Sequence, residues 1–402
     1  MVEYTINTGY LKWRSRMNSK TRVKKSAGEL KIAAPQIRKS NREAVFEYIK
    51  KNPGTTKNDL AATLALSRPT VSGIIEELET QGLIKAERSS VNTGGRSAME
   101  YVIIPDAYLA AGLQLSEHHM RGVIVDLAGE VKSSVRIKRI FEADEVYRKA
   151  VGDMYQELLA KAGVKEEQIK AVGVAVQALT DIEGKRITYM PKETGNLSRY
   201  DQLLKYIPGE KRLIHDLTAL GYNEKLKVDS NVFYLSVNNR IGGMMLIGNE
   251  VYNGSNHKAG EVGHIQLEHN GRECYCGNRG CFDAYCNTNI LRKCANGNLN
   301  DFFQGVSEGK DEYKKVLREY VEYLADAVFS IRIVFGGVII IGGEIGQYAD
   351  YYMDDVRDIL DGKVFFPDEH AAEYLLADQT GEYAIAIGAA MYYCEHVLDR
   401  FE

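Results

Sequence analysis

A chain of 402 residues, 45% hydrophobic and 26% charged, has room for two or three domains with cores of their own, and its composition is that of an ordinary globular protein. No window approaches the ~18 uninterrupted apolar residues of a membrane span, and the N-terminus has no apolar stretch before a cleavage site, so a cytoplasmic protein is expected. The net charge of −4 hides an asymmetry: residues 1–100 carry 18 Lys and Arg against 10 Asp and Glu, and the remainder 33 against 45. A basic head on an acidic body points to a polyanion as the partner of the head.

Residues 1–35 form a basic N-terminal stretch that includes "LKWRSRMNSKTRVKK" and the only Trp; an arm along DNA and a disordered extension both fit it. Residues 36–105 read differently. "NREAVFEYIKKNPG" has Ala44, Val45, Tyr48 and Ile49 at helical spacing before a Pro-Gly stop. "TTKNDLAATLAL" begins a second helix, capped by Thr55 or Thr56. "SRPTVSGIIEELETQGLI" is a third, with Ser67 as N-cap, Pro69 in the first turn and one stripe of Val71, Ile74, Ile75 and Leu78. Two extended runs then flank the turn "VNTGGRS". Three helices and a hairpin make a winged helix-turn-helix. The first turn of the third helix offers Ser67, Arg68, Thr70 and Ser72 to double-stranded DNA, and Arg96 at the wing tip is placed for the backbone or minor groove.

From residue 106 onward strands and helices alternate. "YLAAGLQLSEHHMRGVIVDLAGEVKSSVRIKR" reads as three strands, "ADEVYRKAVGDMYQELLAKAGV" as a helix, and "RLIHD" as a strand running into "LTALGYNE". "FYLSVNNRIGGMMLIGNEVYNG" reads as two further strands, and "DEYKKVLREYVEYLADAVFSIRIVF" as a long helix before strand "GVIIIGG" and helix "YYMDDVRDIL". This is an α/β body of two similar lobes, in which ligands sit at strand ends. In the middle stands "GEVGHIQLEHNGRECYCGNRGCFDAYC". His264 with Cys274, Cys276 and Cys281 supplies one N and three S ligands, the set a structural zinc takes, and Gly277 and Gly280 let the loop turn tightly. The spacing is not that of an ordinary two-knuckle site, and a surface loop of free thiols is the alternative.

A winged helix, then "GGRS", then an α/β body with "GEVGH…CYCGNRGCFD" resembles the ROK family of bacterial sugar-responsive repressors and sugar kinases, from about residue 36 to the end. The resemblance implies an actin-like, ribonuclease-H-like two-lobed body over 106–402, with a zinc loop at 264–281 held by His264, Cys274, Cys276 and Cys281. It places Glu261 and His264 against a sugar, with zinc on one ring nitrogen fixing the tautomer of the other. It puts Asp216 where the kinases carry their base, with His215 in place of the usual Asn. Asp283 stands where the family has a Glu, shorter by roughly 1.5 Å; either the pocket contracts, a larger sugar fills the gap, or the contact is lost. Asn196 falls near another sugar contact.

The kinases of this family hold ATP phosphates on an Asp-x-Gly-Gly-Thr turn and a later Gly-Thr-Gly turn, whose bare backbones approach the phosphates. Here Gln114 stands at the Asp position without the paired glycines, and Asn238, Asn239 and Arg240 replace Gly-Thr-Gly. A repressor is therefore expected rather than an enzyme: a homodimer, or a tetramer, on a palindromic operator, with a sugar as effector. The alternatives are an ATP-dependent sugar kinase that retains Asp216, and a repressor with a vestigial sugar pocket that answers to a protein partner.

Overall fold

The computed structural model describes residues 34–88, 99–181, 183–190, 197–224, 230–248, 250–254, 259–363, 368–378 and 380–401. The basic stretch before residue 34, the wing tip with Arg96, and Asn196 lie outside the described residues.

The head consists of α1 (Ala34–Lys51), β1 (Thr55–Thr56), α2 (Lys57–Thr63), α3 (Arg68–Thr80), β2 (Ile84–Arg88) and β3 (Met99–Ile103). Its helix starts follow from side-chain caps. Thr56 and Asp59 close a reciprocal capping box on α2, and Ser67 accepts from Thr70 N at the start of α3 with proline in the first turn. The two wing strands pair antiparallel from Ile84↔Ile103 to Arg88↔Met99, and the short β1 adds a third strand against β3. Val45, Ile49, Leu60, Val71, Ile75 and Leu78 meet in the interior as their helical spacing requires.

The first lobe of the body comprises β4 (Leu109–Leu115), β5 (His119–Val125), β6 (Val131–Lys138), α4 (Glu145–Ala162), β7 (Ile169–Val176), the small pair β8 (Leu179–Thr180) and β9 (Ile187–Tyr189), β10 (Lys211–His215) and α5 (Asp216–Glu224). The second comprises β11 (Val232–Val237), β12 (Ile241–Ile247), β13 (Glu250–Tyr252), α6 (Asp283–Cys286), α7 (Thr288–Cys294), α8 (Leu299–Ser307), α9 (Asp311–Phe335), β14 (Val338–Gly342), α10 (Met353–Asp361), α11 (Ala371–Tyr374) and β15 (Leu375–Ala377). The sheets run β10-β7-β4-β5-β6 and β13-β12-β11-β14-β15. Each is an antiparallel three-strand meander whose first strand also pairs in parallel with a later strand, and that strand with another. The two lobes thus repeat one topology.

A final helix, α12 (Ala384–Glu395), joins everything. It is apolar nearly all round, as a helix buried on several sides must be. An added Cβ on Gly112 of β4 would lie 1.8 Å from Ala386 O, one on Gly173 of β7 1.9 Å from Ala389 O, and one on Gly388 1.7 Å from Ala219 O of α5. Backbone therefore packs on backbone at all three contacts. The far end of α12 enters the core of the head: Tyr393, Cys394, Val397 and Leu398 belong to one cluster with Val45, Phe46 and Ile49. Lys50 meets Glu395 at 3.1 Å with side chains 8% and 12% exposed, and Arg42 donates to Leu398 O at 3.1 Å while pairing with Glu77 at 2.8 Å. Burial works against the Lys50 ammonium, yet the charges of Glu395 and Glu47 outweigh it and hold its pKa above the ordinary value.

Candidate functional site

Three constellations were expected from the sequence: the first turn of α3, the cysteine loop, and the strand end at Asp216. On α3, Ser67, Arg68 and Thr70 are exposed and Ser72 is half-buried, all within the first two turns. Ser67 and Thr70 also hold each other, their hydroxyls 2.7 Å apart, so capping and presentation share the same groups. The later acid of this helix, Glu77, is turned to Arg42 and Arg38, whose guanidiniums hold its pKa below the usual carboxylate value against the opposing effect of burial.

The cysteine loop is a compact knuckle. Gly277 N donates to Cys274 O, Cys274 N to Asn278 O and Leu267 N to Gly280 O. Gly277 and Gly280 have φ of 87° and 79°, values that side chains with a Cβ rarely adopt. The ligand atoms of His264, Cys274, Cys276 and Cys281 all lie within 4.8 Å of one another. Cys276 Sγ is 3.8 Å from Cys281 Sγ, and Cys274 Sγ 3.8 Å from His264 Nδ1. Nδ1 is therefore the ring nitrogen that faces the sulfurs. Burial pushes the Cys281 thiol up to about 12, with the neighbouring thiols adding to it.

The other ring nitrogen does not stand open. His264 Nε2 lies 3.1 Å from the hydroxyl of Tyr275, a residue between the two cysteines that carried no signal in the sequence. The Arg240 guanidinium lies 3.5 Å from the centre of the Tyr275 ring. Burial first, then the charge of Asp283, holds the Tyr275 phenol well above its ordinary pKa, and Glu261 acts in the same sense, so its carboxylate is a near neighbour.

Asp283 departs from expectation. It is 1% exposed; Ile241 N donates to its Oδ2 at 2.8 Å, Asn287 Nδ2 approaches Oδ1 at 3.4 Å, and Arg240 stands 3.6 Å away. The shorter side chain ties the start of α6 to the start of β12 and offers no open acceptor to a sugar. Glu261 is exposed, beside a backbone crossing in which Gly243 N donates to Gly260 O at 2.7 Å.

Asp216 begins α5 at the end of β10 and is buried. Leu217 N donates to it at 2.8 Å and His215 Nε2 lies 3.5 Å away. Burial raises its carboxyl pKa; His215, the Leu217 N–H and Gln177 act the other way. A small cavity beside it is lined by His215, Thr218, Gly243, Asn253 and Ala259. Its lining takes His215 and Thr218 from the first lobe and Gly243, Asn253 and Ala259 from the second, so the two lobes meet here.

Residues 110–395 match the model of the ROK family. The chain belongs to the ROK family. Residues 44–93 match the MarR family model, which covers the end of α1, α2, α3 and the first wing strand β2 of this ROK chain. Similar curated proteins include the xylose repressor of Bacillus subtilis (strain 168), 23% identical over 90% of this chain and 97% of its own. The DNA-binding transcriptional dual regulator NagC of Escherichia coli (strain K12) is 24% identical over 62% of each chain. Among solved structures, a ROK family transcriptional regulator described as a homolog of the E. coli MLC protein superposes with a TM-score of 0.75 at 20% identity, covering 90% of this chain and 98% of the other. A ROK hexokinase from Thermus thermophilus gives 0.58 at 20% identity over 73% of this chain and all of its own. These likenesses bear out the expected architecture of a winged-helix head on a two-lobed ROK body.

Proposed function

We propose that this chain is a DNA-binding transcriptional repressor whose operator affinity is set by a sugar held between the lobes of its ROK body. The observation that carries this reading is the continuity of α12. Its flank lies backbone to backbone against α5, which starts with Asp216, and the residues at its far end share a core and a buried ion pair with the head. Asp216 and Glu261 receive sugar hydroxyls, with His215 beside them; His264 joins them once the Tyr275 hydroxyl yields Nε2, and Asn196 is a further contact. Closure of the lobes moves α5; α12 follows because Gly388 leaves no slack at Ala219 O; Lys50 and Arg42 then carry the shift to α1. Coupling of this kind is typically worth about 1–3 kcal/mol. The repressor acts in the cytoplasm as a homodimer, with Ser67, Arg68, Thr70 and Ser72 in each major groove and Arg96 on the backbone or minor groove.

His264, Cys274, Cys276 and Cys281 fit a structural zinc, since one imidazole and three sulfurs converge on one point. A zinc ion held by these four residues would favour the thiolate forms of the cysteines and fix the loop, a structural role and not a reacting one. The loop in turn sets the orientation of the His264 ring and of Tyr275.

Kinase activity is not part of this reading. At the β11–β12 turn, where kinases of the family have Gly-Thr-Gly, Asn239 Oδ1 accepts from Arg292 at 2.6 Å, and Glu344 N donates to Asn238 Oδ1 at 2.7 Å. At the β4–β5 turn Arg121 donates to Gln114 Oε1 at 3.4 Å. These contacts support the reading that side chains crowd the places phosphates would take. A second reading, a repressor whose pocket has closed and which answers to a protein partner, is favoured by the Tyr275 hydroxyl on His264 Nε2.

A thermal-shift series against mono- and disaccharides, with and without ATP and magnesium, separates these. Stabilisation by one sugar, lost in Glu261→Ala, supports the sugar-responsive repressor. A further shift with nucleotide, together with phosphate transfer to the sugar, supports the kinase. No shift with any sugar supports the closed pocket.

A further inference from the structure

Tyr275 is the second residue of the turn 274–277, which the Gly277 N–H closes on Cys274 O at 3.0 Å, and Cys274 N donates to Asn278 O on the same loop. The backbone on both sides is held, so the ring moves only by rotation about its side-chain bonds. It is not packed in a core: the residue is 40% exposed. Contacts on two sides nevertheless place it. Its hydroxyl lies 3.1 Å from His264 Nε2, with 5.3 Å between the two ring centres, and the Arg240 guanidinium lies 3.5 Å from the centre of the phenol ring. Arg240 is steadied in turn by the buried Asp283 carboxylate, 3.6 Å away. Besides burial, Asp283 and Arg240, the groups that act on the ionisation of Tyr275 are Tyr189, at the end of β9 in the first lobe, and Glu261. The phenol thus stands among residues of both lobes.

A hydroxyl both donates and accepts, so a phenol satisfies an imidazole nitrogen in either tautomer, as a sugar hydroxyl does. The two compete for one atom. We propose that Tyr275 is a built-in gate on the sugar site: in the sugar-free protein its hydroxyl occupies His264 Nε2, and a sugar hydroxyl binds there only by turning the ring out. The proposal rests on the sugar-binding reading above and adds how that site is regulated. Because the phenol is tethered, the closed state lowers the apparent affinity of every sugar that needs Nε2 by the fraction of molecules standing open. A sugar without a hydroxyl facing Nε2 binds through Glu261 and Asp216 alone and leaves the gate shut. Ligands that merely occupy the site are thereby separated from ligands that open it.

The test compares full-length wild-type protein with Tyr275→Phe, which keeps the ring and its stack on Arg240 and removes only the hydroxyl. Both are titrated calorimetrically with xylose, glucose and N-acetylglucosamine, and side-chain nitrogen NMR follows His264 Nε2, assigned with a His264→Gln variant. Sugar affinity is expected to rise about three- to ten-fold in Tyr275→Phe, the range of one net hydrogen bond. Without sugar the Nε2 resonance should differ between the two proteins. With sugar bound it should coincide, because the phenol has then left, whereas a tyrosine with a merely structural role would keep the two apart. A wild-type protein that binds none of the three sugars beside a Tyr275→Phe that binds one supports the gate in its strongest form. Should Tyr275→Phe melt early, Arg240→Gln is the second variant: it takes away the surface on which the ring rests, keeps the hydroxyl, and is expected to tighten sugar binding in the same sense. Unchanged or weaker affinity in Tyr275→Phe, with the sugar-bound resonances still apart, overturns the gate and leaves the sugar reading standing. No binding by either protein overturns both.

Discussion

The two lobes of the body repeat one strand order, and they have been put to different uses. In each, a meander turns at the same place: β4 to β5 in the first lobe, β11 to β12 in the second. In the first lobe the cations beside this turn are paired. Arg121 reaches Gln114 and, at 3.7 Å, Glu382, while Arg136 meets the same Glu382 at 3.2 Å. In the second, Arg240 is stacked on Tyr275 and stands 3.6 Å from Asp283. The first lobe also packs directly on α12 through Gly112 and Gly173, whereas the second carries the cysteine knuckle. We read the duplicated scaffold as divided: the second lobe carries the knuckle side of the proposed sugar site, and the first, besides lending Asp216, reports to the head through α12.

That division can be broken one side at a time. The largest effect falls on the sensing half: Cys281→Ser is expected to lower bound zinc from about one per chain to none by atomic absorption, with a loss of roughly 5 kcal/mol or more from the second lobe. Sugar-induced thermal shifts should vanish, while the circular-dichroism signal of the head persists.

Next is the reporting half. Lys50→Met removes the ammonium from the buried Lys50–Glu395 pair and should cost about 3–5 kcal/mol, read by chemical denaturation. The double variant Lys50→Met with Glu395→Leu is expected to recover most of that loss. It should bind sugar normally yet transmit little of it to DNA, which distinguishes a coupling role from a merely stabilising one.

Gly388→Ala drives a methyl into Ala219 O at the crossing of α12 and α5 and should destabilise by about 1–3 kcal/mol, followed by thermal melting. The smallest effect has the opposite sign. Burial raises the Asp216 pKa, so at neutral pH its charged form is held at a cost in the fold that the unfolded chain does not bear. Asp216→Asn is therefore expected to stabilise by about 1 kcal/mol or less while losing sugar binding. The advantage should shrink as pH falls through the raised folded pKa, because the wild-type carboxyl is then neutral as well.

Much of this was legible in the chain. Ser67, Pro69 and the Val71–Ile74–Ile75–Leu78 stripe announce α3, since caps and periodicity act locally. His264 and the three cysteines announce the knuckle because their spacing belongs to one loop. α12 was missed for the reason that it matters: "AIAIGAAMYYC" is apolar on every face, so it has no period to detect. Asp283 reads as a sugar ligand by its place after Cys281, yet its carboxylate turns inward to Ile241, a partner 42 residues away. Tyr275 and Arg240 likewise meet only in three dimensions, as do Lys50 and Glu395, separated by 345 residues.

The most direct test is fluorescence anisotropy on a DNA duplex selected by the protein from a random pool, titrated with and without the sugar that shifts its melting temperature. Tight binding to a palindromic duplex is expected, with an affinity changed about 5- to 150-fold by the sugar in the wild-type protein and unchanged by it in Glu261→Ala. A sugar that raises the melting temperature yet leaves DNA affinity within about two-fold would contradict the coupling of body to head.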